Sequence, residues 1–484
     1  MLPNINKLKV NSRSKIIKAM KIIDDNSQGT CFVVNDKNLL IGVLTDGDIR
    51  RALLNKASTN SDVLRIVNKR FIFLKQGYTK SQLNKLLKKK TVKPKCIPII
   101  NKRNKLINYI STSKKISLAK PELSGNEMKY VNECINSGWI SSTGSYVRSF
   151  EKKFSNYTKI PNCLAVSNGT VALQLALKSL KIKQGDEVLV PVLTFASPVN
   201  AIIHSGASPV FLDINEDTFC IDENQIEKNI TKKTKAIIVV HLYGHPSNMK
   251  VIKKIAEKYK LFIIEDCAEA LGSYFNKKHV GNYGHVSTFS FFGNKLITTG
   301  EGGMIGFKAK NLKDRAEILR DHGMDKKKKY WHNDIGFNFR LTNIQAAIGV
   351  AQMERIKWFL NKKKKLVKNY NNSLKKIKNI KLPGEIGDVI NSYWLYTIQL
   401  TNGLEKFREK ILLDMEKNNI EARQIFFPMN LMPPYKKYLK NKQKFPISNK
   451  VFNSSISLPS AYDVNKKDVT KITNLLRRYS INFN

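Results

Sequence analysis

The sequence predicts an α/β protein: a large domain around a mostly parallel sheet and a smaller carboxyl-terminal α/β domain, preceded by an α+β module in two copies. Three observations predict it. Short β-branched runs alternate with helical stretches after residue 118. A long amphipathic stretch near Leu341 then gives way to an irregular, lysine-rich tail punctuated by Pro383, Pro428, Pro433 and Pro434. Two similar strand–turn–strand stretches fill the first 112 residues. The expected organisation is a module over 1–112, a linker over 113–120, a large domain over 121–360 and a small domain over 361–484. A chain of 484 residues suits two or three domains.

In chain order, GTCFVVNDKNLLIGVLTDGDIRRALL reads as strand, tight turn, strand and helix, with Thr45 and Asp48 three apart at the helix start. RFIFLKQGYTKSQLNKLLKKK and KCIPIINKRNKLINYIS repeat that plan, which predicts an internal duplication. Further on, CLAVSN leads into GTVALQLALKSL, whose apolar residues recur at helical spacing. EVLVPV, SPVFLDI, KAIIVV and LFIIED are strand-length apolar runs separated by helical or turn-rich segments. That alternation predicts parallel pairing with helices on both faces of the sheet. TNIQAAIGVAQMERIKWFLNKKKKLVKNY reads as one long helix.

Composition narrows the class. The apolar fraction of 42% suffices for real cores. No apolar run approaches the ~20 residues that cross a bilayer, and the start lacks the uninterrupted apolar stretch of a secretory leader. Six scattered cysteines without ligand-like spacing predict buried free thiols of a reducing cytoplasm, with no disulfide and no metal site. The formal charge of +46 raises nucleic acid as a partner, but only 15 of the 84 basic residues are arginines. Lysines spread along a chain make a solvated surface rather than a phosphate-reading one, so we expect no nucleic-acid partner.

Four segments carry the chemistry. Strand carboxyl ends share one rim in a doubly wound sheet. Asn168-Gly169-Thr170 turns from a strand into a helix whose free N–H groups suit a phosphate, although a plain cap uses the same residues. LFIIED places Glu265 and Asp266 at the end of a buried strand, where a carboxylate needs a cationic partner: a protonated ring nitrogen, an ion pair or a helix cap. In FSFFGNKLITTGEGG, Ser290 precedes Lys295 by five residues. Enclosure by Phe291, Phe292 and glycines would free the lysine amine as a nucleophile or base, and the glycine run would let backbone approach a ligand. Phe195 in LTFASPVNA follows a strand, where it could cover a flat ring. Together these pieces predict a pyridoxal 5′-phosphate pocket.

These motifs are similar to those of the DegT/StrS-type sugar aminotransferases over about residues 118–482. GWISSTG (138–144), AVSNGTVAL (165–173), HLYGHP (241–246), FSFFGNK (289–295) and GFNFRLTNIQAAIG (336–349) carry the resemblance. It implies a fold-type I transferase acting as a homodimer with shared active sites. In it Lys295 joins the cofactor and moves the substrate proton, Asp266 pairs with the pyridine nitrogen, and Phe195 stacks on the ring. Gly169, Thr170 and Ser290 hold the phosphate, and Asn338 reaches the neighbouring subunit's cofactor phosphate. Glu269 stands where many members carry histidine and either tunes the cofactor edge or bonds within the rim. Arg340 and Trp139 are weaker candidates for substrate contact, with an ion pair the alternative for Arg340. His241 and His245 fit packing better than catalysis. The implied reaction aminates a nucleotide-linked 4-keto-6-deoxy sugar, GDP-linked by subgroup, with L-glutamate as donor. A UDP- or dTDP-linked sugar is the alternative.

GVLTDGDIRRAL resembles a CBS motif and the first 112 residues a CBS pair, which implies an adenine nucleotide meeting Thr45 and Asp48. A helix cap uses the same TDGD residues. The second copy reads NYISTSKK and lacks the aspartate and most of the helix. A reading from another class is a nucleotide-sensing regulator on a retired transferase fold. It expects an eroded pocket, whereas Lys295, Asp266 and Ser290 are all present.

Overall fold

The computed structural model describes residues 4–26, 28–88, 94–112, 115–385, 387–439 and 443–481. The chain divides into two compact units, one of residues 1–115 with 413–420, the other of 116–412 with 421–484.

In the amino-terminal unit two three-stranded sheets repeat one plan. Lys9–Asn11, Thr30–Val34 and Leu40–Thr45 form the first, and Leu74–Lys75, Cys96–Ile100 and Leu106–Ser111 the second. In each, the first pair is parallel and the second antiparallel. Both hairpins slip before the last rung, where Val34 faces Leu40 and Ile100 faces Leu106. The shared irregularity supports the duplication. The helix Asp46–Leu54 follows the first sheet; after the second, the next helix among the described residues is Glu127–Ser137.

The larger unit is built on seven strands in the spatial order Asn162–Val166, Gly303–Phe307, Val286–Ser290, Phe262–Asp266, Thr234–Val240, Glu187–Pro191 and Ser208–Leu212. Only Gly303–Phe307 runs against the other six. Alternate residues serve opposite faces: Leu164 and Val166 join one core with the helix Gly169–Ser179, while Cys163 and Ala165 join another with the helix Ser145–Thr158. Both faces are covered, which is why most strand interiors are apolar on consecutive positions, as in Ile237–Val240 and Val188–Val190. A four-stranded antiparallel sheet, in the order Ile380–Lys381, Tyr396–Leu400, Ser455–Leu458, Arg423–Gln424, forms the smaller layer.

The stretch expected as one long helix is two, Asn343–Glu354 and Ile356–Leu374, separated at Arg355 (φ −107°, ψ 9°). The first is buried on most sides and the second along one stripe, so the chain must re-aim between them. That second helix runs across residue 360. Ile116 and Leu118 are buried, and Leu118 accepts a hydrogen bond from the Ser460 N–H. All six cysteines are free and buried. Among the described residues no helix is long and apolar enough to cross a membrane.

Candidate active site

Six of the seven large-sheet strands end at one rim, where a cavity of about 580 Å³ opens. Gly169, Thr170, Phe195, Asp266, Glu269, Ser290 and Lys295 all line it.

The helix Gly169–Ser179 enters the rim at its N-terminus. Asn168 caps it by accepting the Val171 N–H (3.0 Å), and the Thr170 hydroxyl meets that of Ser197 at 2.8 Å. First-turn N–H groups have no intrahelical acceptor, so those of Gly169 and Thr170 are available to an anion. A Cβ at Gly169 would lie 2.9 Å from that of Ser290, so glycine is what lets the turn and the serine share one cradle.

Neighbouring acids at the end of Phe262–Asp266 meet opposite environments. Glu265 is fully buried and accepts N–H groups from Gly281 (2.7 Å), Tyr283 (2.7 Å) and Gly284 (2.5 Å). His241 accepts the Ser247 N–H at Nδ1 (3.0 Å), so its proton sits on Nε2 and is donated to Glu265 (3.1 Å). Burial works to raise the Glu265 carboxyl, yet these hydrogen bonds hold it below the usual range. Asp266 accepts one N–H, from Ala268 (3.0 Å). Burial, only partly offset by that bond and by the charge of Lys295, pushes it up. Such a carboxyl favours a cationic ligand.

Lys295 lies in the connection between Val286–Ser290 and Gly303–Phe307, with its side chain 14% exposed. Nζ sits 3.5 Å from Glu269 Oε1 and 3.9 Å from the centroid of the Trp394 ring. Glu269 also accepts the Tyr243 N–H (2.8 Å), and its carboxyl is pushed up to about 7, by burial first and then by Asp266, against the pull of Lys295. The enclosure differs from the one expected. Phe291 is buried in the core beneath, Phe292 is half exposed, and Trp394 supplies the ring over the amine. The glycine run also differs in role. A Cβ at Gly303 would strike the Asn168 carbonyl at 2.6 Å, so this glycine allows close backbone packing rather than approach to a ligand.

An aromatic wall also lines the cavity. Tyr243 stacks on Trp394 (centroids 6.0 Å, 7°) and on Phe426 (5.6 Å, 21°), and Phe426 meets Phe195 at 5.6 Å. Trp394, Tyr243 and Phe426 were not marked by the sequence, since no spacing links them to Lys295. The only signal was Tyr243 within HLYGHP. Arg423 is the one basic lining residue besides Lys295 and carries no sequence signal at all.

The remaining candidates lie outside the lining. Asn338 is exposed and accepts hydrogen bonds from Arg340, which pairs with Asp321 at 2.8 Å. Trp139 is 60% exposed. In the other unit, Thr45 and Asp48 form a reciprocal capping box: Thr45 Oγ1 accepts the Asp48 N–H (3.2 Å) and Asp48 Oδ2 accepts the Thr45 N–H (2.9 Å). Arg51 donates to Asp48 Oδ1 at 2.6 Å.

The chain is similar to known proteins over most of its length. The profile of the DegT/DnrJ/EryC1/StrS aminotransferase family matches residues 121–477, and that of the CBS domain matches residues 3–55. The GDP-perosamine synthase of Escherichia coli O157:H7 is 44% identical over 367 residues, 76% of this chain and 99% of that protein. The GDP-perosamine synthase of Vibrio cholerae is 40% identical over 364 residues, 75% of this chain and 99% of that protein. Among solved structures, the putative sugar aminotransferase Spr1654 of Streptococcus pneumoniae in its PMP form aligns with a TM-score of 0.73 at 28% identity. It covers 76% of this chain and 98% of that one.

Proposed function

The chain belongs to the DegT/DnrJ/EryC1/StrS aminotransferase family, and from that premise we propose that it aminates C4 of GDP-4-keto-6-deoxymannose to give GDP-perosamine, with L-glutamate as amino donor. It is a sugar-nucleotide aminotransferase that works with pyridoxal phosphate. The cavity fits that cofactor. Besides the Gly169–Ser290 cradle and the raised Asp266, the Thr194 and Asn294 side-chain oxygens at its wall are buried without a hydrogen-bond partner. When bound, the cofactor supplies an aldehyde and a cationic ring that draws electrons from the amine-bearing carbon.

The chain's own residues do the rest. The N–H groups of Gly169 and Thr170 and the Ser290 hydroxyl would hold the phosphate. Asp266 would meet the ring nitrogen as an anion, recovering there what burial costs it alone. Phe195 would cover the ring face. Lys295 Nζ would hold the cofactor covalently and, once freed, would act as the base that takes the Cα proton of the amino donor and, in the second half-reaction, as the acid that protonates C4 of the sugar. Glu269, within 3.5 Å, would hold that amine in line. The observation that carries the reading is the meeting of Lys295, Asp266 and the Gly169 turn in one cavity.

The exposed side chains of Trp139, Ile140, Tyr330, Trp331 and Ile335 support a homodimer, whose second copy Asn338 would serve. The six buried free thiols accord with a cytoplasmic setting. At the CBS module we retain an adenine nucleotide as ligand; calorimetry with AMP and ATP that shows no heat would remove it.

The enzyme is tested with a panel of GDP-, UDP- and dTDP-linked 4-keto-6-deoxy sugars and a panel of amino acids, read by product mass. The GDP sugar with glutamate should react fastest and with ping-pong kinetics. A faster UDP or dTDP sugar would reassign the nucleotide.

A further inference from the structure

A second lysine is enclosed near the first. Lys363, on the helix Ile356–Leu374, is 5% exposed and makes no ion pair among the described residues. Its Nζ donates to the carbonyls of Trp394 (2.8 Å) and Ser460 (2.7 Å). Those carbonyls lie just past the last rung joining Tyr396–Leu400 to Ser455–Leu458, where Tyr396 faces Leu458. The ammonium therefore bolts the open end of that strand pair. An apolar residue could fill such a place, and a buried ammonium without a counter-ion is an expensive bolt. Burial pushes Lys363 down to about 7.

What the bolt holds explains the choice. The Trp394 indole N–H donates to the Asn294 carbonyl at 2.7 Å, and its ring lies over Lys295 Nζ. Tyr462, whose ring is 5.3 Å from Lys363 Nζ, donates its hydroxyl to the Leu296 carbonyl. The carbonyls on both sides of Lys295 are thus held by residues that Lys363 touches.

We propose that Lys363 is a positioning residue for Lys295: by pinning the Trp394 carbonyl it keeps the indole face against Nζ, giving the amine one resting place whenever it is not joined to the cofactor. This rests on the reading of Lys295 as the reacting amine. A cation over an indole face is attracted to it, and the carboxylate of Glu269 lies 3.5 Å away. Between ring and acid the freed amine stays within reach of the carbon whose proton it moves, and a small displacement there is costly in rate.

The test begins with cofactor-free protein. Wild type, Lys363→Met, Lys363→Arg and Trp394→Leu are treated briefly with acetic anhydride, and acetylation of Lys295 is followed by peptide mass spectrometry. Lys363→Met and Trp394→Leu should each raise labelling about fivefold as the ring leaves the amine, and Lys363→Arg should keep the wild-type rate. In the reconstituted holoenzyme, Lys363→Met should lower kcat about tenfold and leave KM within about twofold. Unchanged Lys295 labelling in a Lys363→Met protein with wild-type circular dichroism overturns the proposal. If Lys363→Met does not fold, Trp394→Leu decides: labelling that stays at the wild-type rate removes the resting place. Failure of the aminotransferase reading would show separately, as wild-type protein that takes up no cofactor.

Discussion

At the turn that opens the helix Asp46–Leu54, Thr45 and Asp48 close on each other and Arg51 occupies the remaining carboxylate oxygen. At the turn that opens Gly169–Ser179, only Asn168 caps, and the next two residues face a cavity. Both are Gly- and Thr-bearing strand-to-helix turns, and both look like anion seats in sequence. What separates them is what stands opposite. The first turn answers its own donors with side chains, which stabilises the helix start whatever the module binds. The second lies on a rim where Ser290, Asp266 and Lys295 converge, so its donors remain for a ligand. A motif of this kind reports a function only through its surroundings.

The strongest way to break the contrast is Lys295→Ala. Turnover should fall on the order of 10⁴-fold or more, and the Schiff-base absorbance should vanish while the thermal melt holds. Residual turnover near wild type would strip the rim of its chemistry.

Next in size is a pH effect at Glu269 in the cofactor-free protein. The folded carboxyl keeps its proton up to about 7, whereas the unfolded one loses it near 4.5. Its contribution to stability is therefore full below 4.5 and lost as pH rises to about 7, on the order of 3 kcal/mol. Urea unfolding across that window should show Glu269→Gln falling less with pH than wild type. Parallel curves would mean that Lys295 keeps the acid ionised throughout.

Gly169→Ala sharpens the comparison at the open turn. Its Cβ must displace Ser290, so pyridoxal phosphate should bind about tenfold more weakly, with the stability of cofactor-free protein lowered by roughly 1 kcal/mol. Equilibrium titration would read it, and wild-type affinity would show the cradle to be unused. The smallest effect belongs to the closed turn. Thr45→Ala should cost about 1 kcal/mol of stability through the lost cap and leave cofactor affinity unchanged.

Five strands of the large sheet, though not Val286–Ser290 (VSTFS), were legible because burial on both faces writes them as apolar runs, as in LFIIED and KAIIVV. Gly303–Phe307 was not, since GMIGF follows a glycine-rich turn and carries no mark of its reversed direction. The break at Arg355 was also hidden, because both halves keep helical periodicity and only their partners differ. At the site, Lys295, Asp266, Ser290 and Gly169 stand at strand ends, where position along the chain predicts the rim. Trp394, Phe426 and Lys363 come from the smaller layer and its helices, and tertiary packing alone brings them near the amine.

The sheet's first and last strands in chain order, Asn162–Val166 and Gly303–Phe307, are neighbours. A hairpin could zip early, but this seam joins strands far apart in the chain, so its closure should be slow. Gly169 follows one strand of the seam, and Ser290 and Lys295 precede the other, so the cofactor should be held only once the seam has closed, which makes its uptake a clock for that step. An excess of it during refolding should trap finished molecules without hastening the early ones.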